Sequence, residues 1–210
     1  PDEEQAMAVI VGVARETAVG ERRVALTPET CRKLVAAGAQ VRIQSGIGAG
    51  AYFPDQAYLD AGAQLDEGAI LDAEIVACVQ PPSADAIRAM KQGAVLVGSL
   101  QPSADPARGE AIRERGIVAF PLEKLPRTTR AQAMDVLSSQ AGMAGYKAVL
   151  IAAQLAPRFF PMLTTAAGTI RPSKVLIVGA GVAGLQAIAT AKRLGAAVEG
   201  FDVRPETREQ

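Results

Sequence analysis

The stretch KVLIVGAGVAG, residues 174–184, decides the fold of the second half of this 210-residue chain. Its apolar start is typical of a buried parallel strand, and Gly179, Gly181 and Gly184 form a G-x-G-x-x-G pattern after it. The first glycine permits a tight turn, the second lets the backbone approach a pyrophosphate, and the third lets a helix pack closely on the strand. The pattern therefore predicts a strand, a turn and a helix whose N-terminus, near Val182, binds a dinucleotide.

The residues downstream complete this unit. A helix predicted over residues 182–194 ends at Gly195, and residues 197–201 follow as the next strand. Asp202 comes at the end of that strand, roughly 20 residues after the glycines, where a carboxylate can accept hydrogen bonds from an adenosine ribose. The alternative is an ordinary glycine-rich turn with a solvent-facing aspartate. The first strand, the glycine turn with its helix, the second strand and Asp202 together favour the nucleotide site.

Composition places the chain among ordinary globular α/β proteins. Hydrophobic residues make up 49% and charged residues 21%, so we expect a soluble, folded protein. Lysine plus arginine and aspartate plus glutamate both number 22, which gives no indication of a nucleic-acid or membrane-surface partner. No apolar run approaches the roughly 20 residues of a membrane span, and the acidic N-terminus is unlike a secretion signal.

Two residue types limit the chemistry. Histidine is absent, which excludes His-based catalytic triads, His-ligated zinc and His-assisted hydride transfer. The two cysteines, Cys31 and Cys78, lack metal-type spacing and are expected to be buried, reduced thiols. We therefore expect no metal site in the chain.

Strand-like and helix-like segments alternate before residue 130, which is typical of a parallel sheet with helices on its faces. Thr27 and Pro28 mark the start of the clearest helix, and Gly38 marks its end. The strands are predicted at residues 8–13, 41–44, 75–79, 94–98 and 117–120, and the helices at 28–37, 54–61, 84–91 and 106–115.

A stretch with few helix breakers follows, from Thr129 to residue 160. It predicts one long connecting helix that runs to Pro157. Asp135 and Lys147 within the stretch exclude a membrane helix. Small residues between 138 and 145 would allow close packing against another backbone, either that of the second domain or that of a partner chain.

The predicted fold class is α/β, with two Rossmann-like parallel-sheet domains joined by a long helix. We place the first domain at residues 1–130, the linking helix and connection at 131–163, and the start of a Rossmann domain at 164–210. Two parallel strands with one crossover cannot bury a sheet on both faces, so we expect the second domain to be truncated in this chain. Weak or absent nucleotide binding is the expectation for residues 1–210 alone.

Three segments resemble one known family. Residues 15–28, with RET at their start and ERRVALTP at their end, resemble a signature that alanine dehydrogenases share with the NAD-binding domain of proton-translocating NAD(P) transhydrogenases. Residues 126–140, PRTTRAQAMDVLSSQ, are similar to the nicotinamide-side loop of the transhydrogenases, and residues 165–204 match these proteins also. The chain is identified as a member of this family from Ala8 onward.

The resemblance implies a component that binds NAD(H) and passes hydride to NADP⁺ held on a partner domain, while a separate transmembrane domain moves protons. It also implies a homodimer that lies in the cytoplasm, peripheral to the inner membrane of a bacterium, or on the matrix side in a mitochondrion. No catalytic acid or base is expected, because hydride passes directly between two nicotinamide rings. The implied cofactor-binding residues are Arg127, Thr128, Thr129, Gln132, Asp135, Ser138, Gly179, Gly181, Val182, Gly184, Asp202, Val203 and Arg204.

Some of these residues have a second interpretation from their chemistry alone. Asp135 and Ser138 can equally cap the long helix and bond back to its first turn. Asp202 would repel a 2′-phosphate and so favours NAD(H) over NADP(H). Arg204 can either weaken that discrimination or be a surface charge.

Two other functions remain as alternatives. Alanine dehydrogenases act on a 2-oxo acid with a Lys and a His, and the resemblance places Gln80 and Ser99 at those positions, so the general acid is missing. Arg23 matches their carboxylate-binding arginine, and we expect it to be structural here. A non-catalytic module with the same fold is the third hypothesis.

Overall fold

The chain folds into two units, which a computed structural model describes for residues 8–126 and 128–209, apart from the side chain of Arg208. The first unit is Pro1–Pro126 and the second is Arg127–Gln210. Parallel strands and helices make up both units, so the predicted α/β class is confirmed.

A six-stranded sheet forms the centre of the first unit. Its strands are β1 (Ile10–Val13), β2 (Gln40–Ile43), β3 (Gln64–Leu65), β4 (Ile75–Ala77), β5 (Val95–Gly98) and β6 (Val118–Pro121). They pair in the order β3-β2-β1-β4-β5-β6, and every pair is parallel. The direction of winding reverses between β1 and β4, and in such sheets ligands bind outside the carboxyl ends of the strands at this point.

Four helices accompany the sheet within the described part of the first unit: α1 (Pro28–Ala36), α2 (Asp55–Leu59), α3 (Ala84–Ala89) and α4 (Pro106–Glu114). Three of them begin at a residue whose side-chain oxygen accepts a hydrogen bond from a backbone N–H of the first turn. These caps are Thr27, Ser83 and Asp105, which satisfy donors that a helix start otherwise leaves unpaired.

Two buried clusters hold these helices on the sheet. The first includes Val13 and Ile43 from the strands, and Tyr58 of α2 is fully buried there with its hydroxyl donating to the Leu26 carbonyl at 3.0 Å. The second cluster joins β4 and β5 to α3 and α4. Cys31 is buried in the first cluster, whereas Cys78 is only partly buried, and both are free thiols.

The second unit contains the long helix and the glycine turn. Its elements are α5 (Val136–Leu155), a hairpin of β7 (Leu163–Thr165) and β8 (Gly168–Ile170), and the segment of β9 (Lys174–Val178), α6 (Val182–Arg193) and β10 (Ala197–Phe201). β9 and β10 are parallel, with Val178 opposite Phe201 at their carboxyl ends. Val149, Ala187 and Ala191 form the centre of a buried cluster between α5, α6 and the strands.

The predictions for individual elements succeed in the first unit and fail at the start of the linking helix. Each predicted strand and helix of the first unit is present with ends within two residues. The single helix predicted from Thr129 is wrong, because Thr129–Met134 form a 3-10 helix and Asp135 has a ψ of 85°. α5 begins only at Val136, and it ends before Pro157 because Ala156, the residue preceding the proline, is extended.

Two short features are absent from the predictions. β3 and the β7–β8 hairpin consist of two or three exposed residues per strand, so no alternation of buried and exposed positions marks them. The structure also places α5 in the same unit as the glycine turn. The predicted domain limits, at residues 130 and 163, stay predictions.

α5 and α6 approach closely because α5 has a glycine at the contact. A Cβ on Gly145 would lie 2.1 Å from the carbonyl oxygen of Ala183 in α6, a distance that no side chain can occupy. Gly142 lies nearly one turn earlier in the same helix and has no atom within 4 Å of its Cβ position. Alanine substitutions at Gly145 and Gly142 therefore separate two effects on stability, the contact between α5 and α6 and the helix propensity of the residue.

We expect Gly145→Ala to lower the free energy of unfolding by about 1–3 kcal/mol, because the added methyl group forces α5 away from α6. Gly142→Ala is the matched control and should raise it by up to ~1 kcal/mol, since alanine favours helix more than glycine does. Urea unfolding followed by circular dichroism measures both variants. Equal stability of the two would contradict the close contact.

Candidate functional site

The glycine turn connects β9 to α6 and is tied to the end of β10. Gly179 has a φ of +96°, in the left-handed region that favours glycine, and its N–H donates to the Phe201 carbonyl at 2.7 Å. Gly181 occupies the N-cap position of α6 and supplies no side chain as a cap. A helix start without such a cap keeps backbone N–H donors available to an anion.

The other glycines of the turn serve packing and access. A Cβ on Gly184 would lie 1.7 Å from the carbonyl oxygen of Gly179, so any larger residue would push α6 off the turn. Gly181 is much less crowded, since the nearest atom to its Cβ position is Arg204 Nη2 at 3.7 Å. The predicted strand, turn and helix are thus present, with the spacing that the glycine pattern requires.

Asp202, at the end of β10, is held by four hydrogen bonds. Its Oδ2 accepts from the Ala180 N–H at 2.7 Å and from Arg204 Nη2 at 3.1 Å. Its Oδ1 accepts from the Arg204 N–H at 2.9 Å and from Arg204 Nε at 3.1 Å. The Arg204 guanidinium and these N–H donors hold the pKa of the Asp202 carboxyl well below its usual range, so the side chain is ionised.

Asp135 and Ser138 form the N-terminal cap of α5. Asp135 Oδ1 accepts from the Ser138 N–H at 3.0 Å, and Oδ2 accepts from the Ser138 hydroxyl at 2.6 Å. The Ser139 hydroxyl donates to the Asp135 carbonyl at 3.1 Å. The capping interpretation of these residues therefore describes their geometry, and a nucleotide contact remains a prediction beside it.

A cavity of about 330 Å³ lies between the start of α5 and the glycine turn. It brings Ser138 together with all four predicted residues of the turn, although about 40 residues separate them in the sequence. The lining residues are Leu137, Ser138, Ala141, Val178, Gly179, Gly181, Val182, Ala183 and Gly184.

A second cavity of about 460 Å³ is lined by Ala180 of the glycine turn. Asp202 and Arg204 line it together with Leu185 and Ile188 of α6. Gly179 and Gly181 line the first cavity, and Ala180 between them lines the second, where its N–H donates to Asp202. The glycine turn is therefore part of both cavities. Their arrangement suits a ligand with one part at the helix start and another at the end of β10.

The structure does not bring every predicted residue to these cavities. Thr128, Thr129 and Gln132 are exposed and line neither cavity. Asp135 and Val203, which is 83% exposed, line neither cavity either. Arg127 lies outside the described residues.

Sequence reasoning missed other lining residues, among them Leu137, Ala141 and Ala180. Leu137 and Ala141 resemble ordinary apolar positions of a helix, and Ala180 contributes its backbone N–H. No signal in the sequence marks these three positions.

The carboxyl edge of the sheet in the first unit contains a third cavity, of about 540 Å³, beside the switch point between β1 and β4. Glu16 lines it and accepts from the Val79 and Gln80 N–H groups at 2.6 and 3.0 Å. The Gln80 side-chain amide donates to Glu21 Oε2 at 2.7 Å. Gln80 is therefore part of a hydrogen-bond network with Glu16 and Glu21.

Glu21 is the centre of that network. Its carboxylate accepts from the Arg23 N–H and Nε, both at 2.8 Å, and from Arg23 Nη2 at 2.6 Å. Its side chain is only 7% exposed, and hydrogen bonds from Arg23, with one from Gln80, keep its pKa far below the ordinary 4.5. These contacts agree with the structural role expected for Arg23.

The depressed pKa of Glu21 predicts acid sensitivity. The ionised carboxylate stabilises the fold above about pH 4.5, and this stabilisation is lost as the pH falls towards the folded-state pKa. We expect Glu21→Gln to lower the free energy of unfolding at pH 7 by about 1–3 kcal/mol. The difference from the wild type should shrink at pH 3.

Urea unfolding at both pH values measures the effect, with Glu110→Gln, a change of the same kind at an exposed position on α4, as the control. A difference between wild type and Glu21→Gln that is the same at pH 7 and pH 3 would contradict the role of ionised Glu21.

Neither a metal cluster nor a membrane span is found among residues 8–126 and 128–209. In this part of the chain no three or more His, Cys, Asp or Glu side chains are grouped so that they could hold a metal ion. The helices described there also lack the combination of length and hydropathy that a membrane span requires.

The whole chain is similar to known proteins. The alanine dehydrogenase/PNT N-terminal domain family matches residues 12–144, and the C-terminal domain family matches residues 148–210. An NAD(P) transhydrogenase alpha-subunit protein from Rhodospirillum rubrum is 45% identical over 208 residues, which cover 95% of this chain and 54% of that protein. Alanine dehydrogenase from Bacillus subtilis is 31% identical over 209 residues, which cover 96% of this chain and 54% of that protein.

A solved structure agrees with these relatives. The transhydrogenase from Sinorhizobium meliloti is 44% identical and superposes with a TM-score of 0.90, over 95% of this chain and 58% of that one. The chain spans about half the length of the curated relatives it matches. The family prediction made from residues 15–28, 126–140 and 165–204 is confirmed: the chain belongs to the alanine dehydrogenase/PNT family.

Proposed function

We propose that this chain supplies the NAD(H)-binding component of a proton-translocating NAD(P) transhydrogenase, which passes hydride from NADH to NADP⁺ on a partner domain. The observation that carries the proposal is the cavity shared by Ser138 and the glycine turn. It joins residues 126–140, the segment by which the sequence resembles transhydrogenases rather than alanine dehydrogenases, to the segment with the dinucleotide pattern. The higher identity to a transhydrogenase subunit than to an alanine dehydrogenase supports the same choice.

The residues around these cavities fit a dinucleotide. Gly181 leaves space for close approach to the start of α6, whose N–H groups suit a pyrophosphate. Asp202 offers a carboxylate at the end of β10, where the adenosine ribose of a dinucleotide binds in this fold. Arg127, Thr128, Thr129, Gln132, Asp135 and Ser138 are proposed to position the nicotinamide half, and Val203 the ribose half.

Direct hydride transfer suits the chemistry that these residues offer. The nicotinamide itself supplies the hydride, so the protein needs to hold and orient the ring and to exclude water. Gln80, which the resemblance places at the lysine position of the dehydrogenases, donates to Glu16 and Glu21 and cannot serve as a general acid. No group of this chain is assigned as a general acid or base.

The remaining parts of the proposal concern the assembly. We infer a homodimer that works with an NADP(H)-binding domain and a transmembrane proton-conducting domain, on the cytoplasmic side of a bacterial inner membrane or the matrix side of a mitochondrial one. Asp202 would repel a 2′-phosphate, which supports NAD(H) as the nucleotide on this chain.

Hydride transfer tests the proposed activity directly. The full-length protein, mixed with the NADP(H)-binding domain of its complex, should transfer hydride from NADH to an NADP⁺ analogue in a stopped-flow experiment. Absence of transfer would contradict the proposal. Oxidation of NADH that depends on pyruvate and ammonia would instead favour the alanine dehydrogenase alternative.

The cap of α5 gives a sharper test. We expect Asp135→Asn to slow hydride transfer at least about tenfold, or ~1.4 kcal/mol in the activation barrier, while the Kd for NADH changes less. Asparagine caps helices as well as aspartate does, so α5 should stay intact. Ser139→Ala removes a neighbouring hydroxyl on the same turn and is the control. Equal losses of transfer and of NADH binding would point to a simple binding role for Asp135.

A further inference from the structure

The carboxylate of Asp202 has no acceptor capacity left. An ionised carboxylate offers about four lone-pair positions, and four donors contact this one. The side chain is 7% exposed, so water cannot easily replace a lost partner. Ribose hydroxyls that donate to Asp202 must therefore displace one of the donors already present.

The four donors differ in how readily they can leave. The N–H groups of Ala180 and Arg204 belong to the backbone of the glycine turn and of the residues after β10. The other two, Nε and Nη2, belong to the guanidinium of Arg204, whose side chain is 53% exposed. The guanidinium is therefore the donor that a ribose can displace.

The position of the guanidinium also places it beside the proposed phosphate path. Its Nη2 lies 3.7 Å from the Cβ position of Gly181 and 3.1 Å from Asp202 Oδ2. The guanidinium thus lies near both the carboxylate and the helix start, and its planar fork matches a phosphate as well as it matches a carboxylate.

We propose that Arg204 weakens the preference of this site for NAD(H) over NADP(H), by competing with the 2′-hydroxyl for Asp202 and by offering a cation to a 2′-phosphate. Both effects act against the preference for NAD(H) that Asp202 alone would give. The inference rests on the proposed function, because it assumes that Asp202 contacts the adenosine ribose.

Two adenine nucleotides isolate this effect, because 5′-AMP and adenosine 2′,5′-bisphosphate differ only in the 2′-phosphate. Isothermal titration calorimetry of the full-length protein measures the Kd of each with wild type and with Arg204→Met, which removes the charge and the donors but keeps the bulk. Arg193→Met, at the exposed last turn of α6, makes the same change of charge and is the control.

We expect Arg204→Met to raise the ratio of the Kd of the bisphosphate to the Kd of 5′-AMP about tenfold, or ~1.4 kcal/mol, with 5′-AMP bound more tightly than by wild type. Arg193→Met should leave the ratio unchanged. An unchanged ratio in Arg204→Met, or equal weakening of both nucleotides, would overturn the inference and leave only a structural role for Arg204. Failure of the wild type to bind 5′-AMP or NADH would overturn the proposed function itself.

Discussion

Close backbone contact at glycine is the constraint on which the second unit depends. Gly184 lets α6 approach the carbonyl of Gly179, and Gly145 lets α5 approach the carbonyl of Ala183. The two contacts fix α6 between the turn and α5. Because α5 packs closely on α6, the first turn of α5 lies beside the N-terminus of α6. The cavity between Ser138 and the glycine turn is a consequence of that packing.

Carboxylates serve as anchors for loops in both units. Glu16 accepts from the backbone after β4, Glu123 accepts from the backbone of Leu100 and Gln101 after β5, and Asp202 accepts from the glycine turn. Hydrogen bonds from several N–H groups to one carboxylate are strong, so each of these side chains holds its loop in place.

Asp202 anchors the glycine turn, and in the proposed function it also accepts from the adenosine ribose, so the two tasks would compete. The bonds that hold the turn to the end of β10 use the same oxygens that the fold offers to an adenosine ribose. Arg204 forms an ion pair with this carboxylate, and the arginine side chain is much more exposed than that of Asp202. If Asp202 contacts the ribose as proposed, the nucleotide preference would depend on the Asp202–Arg204 ion pair as a whole rather than on the acidic residue alone.

The sequence by itself determined the α/β class, the strands and helices of the first unit, and the strand, turn and helix at residues 174–194, because apolar periodicity, caps and glycines are local signals. It could not determine that residues 129–134 form a 3-10 helix, because the propensity of these residues favours an ordinary α-helix. The break comes from Asp135, which is the N-cap of α5 and so lies outside that helix. Which donors reach Asp202 and Glu21, and which residues of α5 line the cavity, also required the tertiary structure. The bonds from Ala180 to Asp202 and from Gln80 to Glu21 join residues that are 22 and 59 positions apart, and they depend on how sheets and helices pack, which no local pattern encodes.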